Sequence, residues 1–370
     1  MQAQDLALQR NRYKHLTDDE WRWLLQQVDG RERTTEKLPT FAATDDWWYP
    51  VRLSCEQCSS EATARYKATL VSGGRMADLT GGYGVDTYFL SQAFAHTDYV
   101  EQDAELCRIA AHNFSILPND DSRTVEVHHT TAETFLQTAG QYDLIFLDPA
   151  RRDSHGGKVF RLEDCTPNVV ALLPTLLSHG RRLLLKLSPM LDLTQAVSAL
   201  SETTWDSYVV ALKNEVKEVL LLSGGTGQIT AIDLARKDQA FVFTREEESN
   251  SEAVLQQSGL SGGAGLFLYE PNAAILKAGA YKLVAQRYGL TKLDVNTHLY
   301  SSDILLENFP GRVWRITEQQ AVQQANVLCR NYPMTPEQVK KKLHLRDGGT
   351  AFVIGCRIAG RPTLLWAERC

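Results

Sequence analysis

Short apolar segments alternate with segments of helical periodicity from residue 75 to about residue 245. The apolar segments have the lengths of β-strands and read "MADL", "DYVEQD", "VEVHH", "YDLIFLD", "RRLLLKLS", "SYVVALK", "VLLLSG" and "QITAIDLA". Because strands that alternate with helices form parallel pairs, this pattern predicts a doubly wound, mostly parallel α/β sheet. The last three or four segments have no helix between them and predict an antiparallel edge.

The segments on either side of this sheet predict further domains. Residues 1–60 form a helical extension, since "DDEWRWLLQQV" has acidic residues at its start and apolar residues at helical spacing. Within it, Ser54 and Gln57 fit an N-capping box ahead of a helix. The predicted boundaries are 1–60 for the extension, 61–245 for the sheet domain, 246–264 for a polar, glycine-rich linker and 265–370 for a smaller α/β domain. The last domain ends in "AFVIGC" and "TLLWAER", which we expect to pair as strands.

Composition excludes several classes of protein. Among 370 residues, no apolar run approaches the ~20 residues of a membrane-spanning helix, and the N-terminus lacks a signal peptide. We therefore expect a cytoplasmic protein with no membrane partner. Seven scattered cysteines predict reduced thiols, and Cys55 and Cys58 lack a second ligand pair, so no metal is expected. Residues 310–370 hold ten Lys/Arg against four Asp/Glu, a local charge of +6 in a chain of net charge −6.

A glycine-rich turn follows the first predicted strand, in "MADLTGGYGVDTYFL". In a doubly wound sheet this turn comes closest to a bound cofactor, although the motif taken alone also fits a simple tight turn. A dinucleotide fingerprint needs a third glycine where Thr87 stands, so a nicotinamide oxidoreductase is disfavoured. Asp78 at the strand end can face an ammonium group, and Glu101 at the next strand end can accept ribose hydroxyls. Together they predict S-adenosylmethionine as the cofactor.

A third polar strand end strengthens this interpretation. The strand in "YDLIFLDPARRD" ends in Asp148 and Pro149, followed by two arginines. An Asp-Pro pair alone is a common turn opener, but here it has the order and spacing of a site. Arg151 and Arg152 could clamp a phosphate or carboxylate of a substrate. The alternative for them is a solvated loop that pairs with Asp153.

These stretches resemble motifs of class I S-adenosylmethionine-dependent methyltransferases. The stretches that carry the resemblance are "DLTGGYGVD", "VEQDAELCRIAAHNF" and "FLDPARRD". The wider pattern, with "EQCSSEATARYKA", "LYEPNAAILKAG" and "CRNYPMTPEQVKKKLHLRDGGTAFVIG", is similar to a bacterial group of methyltransferases with a THUMP-like C-terminal domain. The resemblance covers nearly the whole chain beyond about residue 45. It implies a Rossmann-like catalytic domain and a small ferredoxin-like or THUMP-like accessory domain.

The resemblance also implies roles for individual residues. Those implied for cofactor binding are Asp78, Thr80, Gly81, Gly82, Gly84, Glu101, Asp103, Ala132 and Asp148. Asp103 would lie near the adenine. The acidic residue that often meets the adenine amino group is missing at Thr131, which leaves that contact to backbone amides or to Glu133. The residues implied for catalysis are Asp148, Pro149 and Arg151.

The residues after Asp148 narrow the possible methyl acceptors. Enzymes that methylate base nitrogens often show Asn/Asp-Pro-Pro-aromatic, but Ala150 and Arg151 stand in the last two positions here. Enzymes that methylate uracil C5 use a cysteine after the next strand, where this chain has Leu187 and Ser188. Transfer to a nitrogen or an oxygen, with Asp148 orienting the nucleophile, is therefore favoured.

The C-terminal charge predicts the substrate class. The candidate substrate-binding residues are Arg152, Lys340, Lys341, Lys342 and Arg346, with Arg330 nearby in the sequence. Phosphate contacts need such a basic surface, although a solvated helix face explains it equally well. We predict a methyltransferase that acts on an RNA nucleotide. The alternatives are a small-molecule or protein substrate with a structural C-terminal domain, and a cofactor-binding module without transfer activity.

Overall fold

The computed structural model describes residues 3–116, 123–151, 161–260, 265–319 and 321–370. The chain divides into two compact units. The first comprises Met1–Trp205 and Val219–Thr226, and the second comprises Asp206–Glu218 and Gly227–Cys370. The predicted domain boundaries at residues 60, 245 and 264 stay a prediction.

The elements of the first unit follow the order that the sequence predicts. Its helices are α1 Ala3–Ala7, α2 Asp18–Thr34, α3 Pro39–Ala42, α4 Arg52–Gln57, α5 Glu61–Ala68, α6 Val85–Ser91, α7 Ala104–Ser115, α8 Ala132–Leu136, α9 Val169–His179 and α10 Leu193–Ala199. Its strands are β1 Gly73–Asp78, β2 Phe94–Glu101, β3 Thr124–His129, β4 Tyr142–Leu147, β5 Ala150–Arg151, β6 Cys165–Thr166 and β7 Gly180–Leu187. Short 3-10 helices span Arg10–Tyr13 and Leu162–Asp164.

The remaining elements start where the chain leaves the first unit. The strands are β8 Trp205–Leu212, β9 Glu215–Ser223, β10 Gln228–Asp233, β11 Phe241–Thr244, β12 Phe267–Pro271, β13 Thr291–Asp294, β14 Thr297–Ser302, β15 Gly311–Thr317, β16 Asn326–Arg330, β17 Ala351–Ile358 and β18 Arg361–Arg369. The helices are α11 Arg245–Asn250, α12 Ala273–Ala278, α13 Lys282–Tyr288 and α14 Pro336–Leu343, with a 3-10 helix at Leu234–Gln239. None of the helices in the described ranges combines the length and the apolar character needed to span a bilayer.

The first unit is built on a doubly wound sheet. Its strands are hydrogen-bonded in the order β9-β7-β4-β1-β2-β3, and all except β9 run parallel. β4 is buried almost throughout, as expected for a central parallel strand covered by helices on both faces. The strand order reverses at β1, which lies between β2 and β4. Ligands of such sheets bind beyond the carboxyl ends of the strands at this point, which is where the sequence places Asp78, Glu101 and Asp148.

Two local predictions are corrected. The capping box at Ser54 and Gln57 is wrong, because both residues lie inside α4. The chain turns extended after α4, and Ser60 caps the next helix by accepting a hydrogen bond from the Thr63 N–H at 3.3 Å. The antiparallel edge is correct for β7 with β9, but β8 and β10 run parallel because β9 reverses the chain between them.

The second unit contains a seven-stranded sheet in the order β13-β14-β12-β15-β18-β17-β16. The pairing of β17 with β18 is antiparallel over eight residue pairs, which confirms the strand pair predicted for "AFVIGC" and "TLLWAER". Its core includes Leu268, Trp314 and Ile354, each at most 1% exposed. All seven cysteines of the chain are free thiols.

The segment predicted as a linker, residues 246–264, begins as a helix. Thr244 and Glu247 form a capping box at the start of α11. The carboxylate of Glu248 then accepts hydrogen bonds from three successive backbone N–H groups at the start of α13, those of Tyr281, Lys282 and Leu283, at 2.9–3.1 Å. These bonds satisfy donors that have no partner within the helix, so α11 is anchored to α13.

A buried carboxylate joins three strands of the second unit, the neighbours β12 and β15 and the more distant β16. Glu270 on β12 is 2% exposed, and its oxygens pair with Arg312 on β15 and Arg330 on β16. Arg312 also lies 5.4 Å above the ring of Trp314, measured to the ring centroid. Two of the ten basic residues in 310–370 are therefore occupied by a structural ion pair.

We expect Glu270→Gln to lower the free energy of unfolding by about 3 kcal/mol. This is the lower end of the range for a broken buried ion pair, because both arginines remain partly exposed. Urea denaturation followed by tryptophan fluorescence measures the change. The exposed Glu307→Gln serves as the matched control and should leave the curve unchanged. Equal curves for Glu270→Gln and the wild type would contradict a stabilising role.

Candidate functional site

A cavity of about 310 Å³ lies at the carboxyl ends of β1, β2, β4 and β7. Its volume is in the range of small-molecule sites. Of the residues predicted to bind the cofactor, those in its lining are Asp78, Thr80, Gly81, Gly82, Gly84, Glu101, Ala132 and Asp148. The structure therefore brings together eight of the nine predicted residues from four separate segments of the chain.

The turn after β1 approaches the cavity closely because three of its residues are glycines. A Cβ atom on Gly81 would lie 2.2 Å from the Tyr99 ring, so no side chain fits there. Gly82 and Gly84 have φ angles of +54° and +81°, which favour glycine. Tyr99 also donates a hydrogen bond from its hydroxyl to the Gly82 carbonyl at 2.6 Å. The turn is thus held against β2 with its backbone facing the cavity.

Asp78 is buried at the bottom of the cavity. Its carboxylate accepts hydrogen bonds from the Thr80 N–H at 3.0 Å and from the Thr87 hydroxyl at 2.6 Å. Burial raises the pKa of Asp78 to about 7, and the nearby carboxylates of Asp86 and Asp148 add to the rise, while the Thr87 and Thr80 hydrogen bonds oppose it. A positive charge in the cavity would relieve this cost. Thr87, which replaces a fingerprint glycine, therefore has a structural role as a donor to Asp78.

Glu101 and Thr80 tie the strand ends to one another. Glu101 accepts the Gly82 N–H through one oxygen and the Asp103 N–H through the other, both at 2.9 Å. Each oxygen keeps a lone pair that can accept a ribose hydroxyl. Thr80 accepts the Asp148 N–H at 2.7 Å, so the glycine turn and the end of β4 are joined directly.

The other predicted residues have different positions. Asp103 is outside the described lining and caps α7, accepting the N–H groups of Glu105 and Leu106. Pro149 lies between two lining residues, Asp148 and Ala150, but is not itself in the described lining. Arg151 pairs through its backbone with Cys165 on β6, and its side chain is not described. Arg152 lies outside the described residues. Thr131 and Glu133 both line the cavity beside Ala132.

The sequence analysis missed an ion-pair chain beside the cavity, made of Lys67, Asp86, Lys186 and Asp148. Lys186 lines the cavity and pairs with Asp148 and, at 3.4 Å, with Asp86. Asp86 in turn lies 3.1 Å from Lys67, which is fully buried. Burial raises the pKa of Asp86, but the two ammonium groups outweigh it and hold that pKa below its ordinary value. The sequence feature that could have indicated this ion-pair chain is Lys186, a charged residue near the end of the apolar strand segment "RRLLLKLS".

Cys58 is the cysteine in the described lining. Burial raises the pKa of its thiol, so Cys58 is protonated at neutral pH and is a weak nucleophile. Burial likewise raises the pKa of Cys55 to about 12. Covalent catalysis by either thiol is disfavoured.

Outside this cavity, the side chains of His96, Asp98 and Glu126 lie close enough together to hold a metal ion, with their possible ligand atoms within 4.8 Å of one another. Asp98 already accepts a hydrogen bond from the Tyr142 hydroxyl at 2.8 Å and contacts His128 at 2.7 Å. The group is therefore explained as a hydrogen-bond network around a buried carboxylate.

The predicted basic cluster lies in the second unit. Lys340 pairs with Asp347 at 2.6 Å, whereas Lys341, Lys342 and Arg346 are exposed. The three lysines occupy the last turn of α14, where positive charge stabilises a helix end. Because Arg330 pairs with Glu270, the exposed part of the cluster is reduced to Lys341, Lys342 and Arg346.

Comparisons with known proteins identify the family and the fold. A crystal structure of a protein assigned as a methyltransferase from Porphyromonas gingivalis W83 superimposes with a TM-score of 0.86 and is 31% identical, covering 96% of this chain and 92% of that one. Two strains of Mycobacterium tuberculosis have a protein described as an uncharacterized S-adenosylmethionine-dependent methyltransferase, 24% identical over 94% of this chain and 96% of theirs. Family profiles match residues 267–310 as a ferredoxin-like domain and residues 311–369 as THUMP domain-like.

The raised pKa of Asp78 predicts a pH-dependent stability. A carboxyl that holds its proton more tightly when folded costs stability as pH rises from about 4 to about 7. We expect Asp78→Asn, which cannot ionise, to gain melting temperature relative to the wild type by several degrees between pH 5 and pH 8. Differential scanning calorimetry without added ligand measures this difference. The exposed Asp19→Asn should show the same difference at both pH values, and so should Asp78→Asn if its carboxyl titrated normally.

Proposed function

Because this chain belongs to the family of S-adenosylmethionine-dependent methyltransferases, we propose that it methylates a nitrogen or an oxygen of an RNA nucleotide. Its cofactor is S-adenosylmethionine. When bound, the cofactor supplies a methyl group on a positively charged sulfur. The proposed roles of individual residues, and RNA as the substrate, go beyond this family assignment.

The cavity fits the cofactor by its charge and by its shape. Asp78, Asp86, Glu101, Glu133 and Asp148 are the acidic residues of its described lining. We assign Asp78 to the ammonium group and Glu101 to the ribose hydroxyls. The close approach of Gly81 to Tyr99 leaves backbone rather than side chain facing the ligand. The site therefore suits a ligand that carries more positive than negative charge.

The exposed carboxylate of Asp148 in the cavity supports a transfer reaction rather than simple binding. Its side chain is 40% exposed, whereas Asp78 is buried. Thr80 fixes the backbone of Asp148 beside the glycine turn. A carboxylate in this position can accept a hydrogen bond from an incoming nucleophile and orient it for in-line attack.

The charge distribution supports RNA as the substrate. Residues 310–370 carry +6, and the rest of the chain carries −12. An acidic catalytic unit repels a polyanion unless another region captures it. The THUMP domain-like match covers nearly the same residues, 311–369. Since THUMP domains proper bind RNA, we propose that this region does the same here. A small-molecule or protein substrate is the alternative, in which the C-terminal charge has only a structural role.

The direct test is transfer of labelled methyl from S-adenosylmethionine to total RNA taken from a strain that lacks the protein. RNA from the wild-type strain is the control, because its sites are already methylated. Label that enters only the RNA of the deletion strain supports the proposal. Label that enters neither RNA, with active protein, contradicts it.

We expect Glu101→Ala to weaken S-adenosylhomocysteine binding by about 1.5–3 kcal/mol, the range for hydrogen bonds to a charged acceptor. Isothermal titration calorimetry measures this change. Glu105→Ala is the matched control, because Glu105 is exposed, pairs with Arg108 and does not belong to the described lining. NAD should not bind to any of the three proteins. Unchanged affinity in Glu101→Ala would show that the ribose contact is misassigned.

The RNA proposal predicts a salt dependence that the exposed basic residues control. RNA affinity should fall with salt on a log–log slope of ~0.7 per phosphate contact for single strands. Changing Lys341, Lys342 and Arg346 together to Ala should flatten that slope and raise the KM for RNA, with cofactor affinity unchanged. Adding Lys340→Ala should have little further effect, because Lys340 is paired with Asp347.

A charge-matched control comes from the N-terminal helices. Changing Arg12, Lys14 and Arg22 together to Ala removes the same charge from exposed positions of the first unit. This variant should keep the wild-type slope. Equal slopes for all three proteins would assign the C-terminal cluster to a solvated helix end and favour the alternative substrates.

A further inference from the structure

We propose that the methyl acceptor is a ribose hydroxyl, and that Asp148 and Lys186 act on it as a pair. This inference rests on the proposed methylation of RNA and specifies its acceptor atom. It follows from the charge beside the acceptor position and from the kind of side chains that line the cavity.

Lys186 places a positive charge at the cavity beside Asp148. The lysine stands near the end of β7, its side chain is 12% exposed, and it is part of the lining. Its ammonium group pairs with one oxygen of Asp148. The other oxygen of Asp148 accepts no hydrogen bond from the residues that the structure describes. An incoming group that contacts this oxygen therefore meets a carboxylate acceptor beside the positive charge of Lys186.

The position of Lys186 is fixed from behind by a buried carboxylate. Asp86 on α6 lies 3.4 Å from Lys186 and accepts a hydrogen bond from the Ser59 hydroxyl at 2.7 Å. Lys67 on α5 lies 3.1 Å from the other oxygen of Asp86. Because Asp86 is held by two cations and a hydroxyl, it remains ionised and anchors the Lys186 ammonium group. Such pre-organised charge acts without reorganisation during a reaction.

The charge at this position favours a hydroxyl over an amine. A neutral amino nitrogen becomes positive as it takes up a methyl group, which a neighbouring ammonium group disfavours. A hydroxyl oxygen becomes negative as it loses its proton, which the Lys186 ammonium group stabilises. The carboxylate of Asp148 can accept that proton. The pair thus matches the needs of an oxygen nucleophile.

The cavity lining disfavours a base as the acceptor. Enzymes that methylate a base hold it by stacking on an exposed aromatic ring. The aromatic rings in the described lining are those of Tyr83 and Phe146, which are 5% and 1% exposed. Arg151 stands where the motif of base-methylating enzymes would place the aromatic residue, and Ala150 stands where it would place the second proline. A ribose hydroxyl can be bound without stacking on an aromatic ring.

The proposed transfer moves the methyl group to the ribose oxygen and the proton of that oxygen to Asp148. Asp148 accepts a hydrogen bond from the ribose hydroxyl, and the positive charge of Lys186 beside it stabilises the oxygen as negative charge develops there. As the oxygen bonds to the methyl carbon, the carbon–sulfur bond breaks and its electron pair stays on sulfur. The hydroxyl proton passes to the Asp148 carboxylate and then to water.

Alkaline hydrolysis of the labelled RNA tests the acceptor directly. Alkali cleaves RNA through the free 2′-hydroxyl, so a methylated 2′-oxygen leaves the label in alkali-resistant dinucleotides. We expect the wild-type protein to place label in dinucleotides. Label in mononucleotides would overturn the hydroxyl acceptor while leaving RNA methylation intact. RNA without any label would overturn the proposed function itself.

Variants of Lys186 test the pair. We expect Lys186→Met to lower kcat for RNA by roughly 100-fold or more, as for loss of one pre-organised charge-stabilising donor. Its affinity for S-adenosylhomocysteine and its KM for RNA should stay near the wild-type values. Lys186→Arg should recover part of the rate, because it restores the positive charge. Arg181→Met, at an 81% exposed position of the same strand, should leave kcat unchanged.

Two outcomes would assign Lys186 to structure alone. One is a kcat for Lys186→Met within a few-fold of the wild type. The other is equal loss in Lys186→Met and Lys186→Arg together with weakened cofactor binding. If Lys186→Met fails to fold, Lys186→Arg is compared with the wild type instead. A lowered kcat with unchanged affinity for S-adenosylhomocysteine supports the pair, and an unchanged kcat together with label in mononucleotides contradicts the proposal.

Discussion

The first unit depends on the buried negative charge of Asp86. An ionised carboxylate inside a protein is costly unless charges and hydrogen bonds compensate it. Here Lys67 from α5, Lys186 from β7 and the Ser59 hydroxyl converge on it. The segment before the sheet, the first helix after β1 and the strand β7 are therefore joined at one point. Because Lys186 also contacts Asp148, the same interaction fixes the side of the cavity that we propose for the methyl acceptor.

The side of the cavity proposed for the cofactor is shaped by steric crowding and not by charge pairing. Tyr99 packs so closely on Gly81 that only glycine fits, and its hydroxyl holds the Gly82 carbonyl. Thr87 holds Asp78 in place of the glycine that a dinucleotide site would have. Different interactions therefore shape the two sides of the cavity. On one side, the backbone of the glycine turn lies over Asp78 and Glu101, which accept hydrogen bonds but form no ion pair with the described residues. On the other side, Asp86 and Asp148 are paired with lysines.

In the second unit, positively charged side chains have two different roles. Arg330 and Arg312 are basic residues that pair with the buried Glu270 and stabilise the fold. Lys341 and Lys342 are exposed at a helix end, where they can contact a polyanion. A count of charges along the sequence cannot separate these roles, because the acid that pairs with Arg330 lies 60 residues away. The region keeps its basic character, but with fewer exposed residues than the sequence suggests.

The doubly wound sheet, the glycine turn and the acidic strand ends at Asp78, Glu101 and Asp148 could all be predicted from the amino-acid sequence. These features follow from local periodicity and from the order of strand ends, which any parallel sheet brings to one edge. The contacts of Lys186 with Asp148 and Asp86, which are 38 and 100 residues away in the chain, are visible only in the folded molecule. The residues around Lys186 in the sequence do not indicate which carboxylates it pairs with. Its charge gains a role only where packing excludes water and the opposite charges converge.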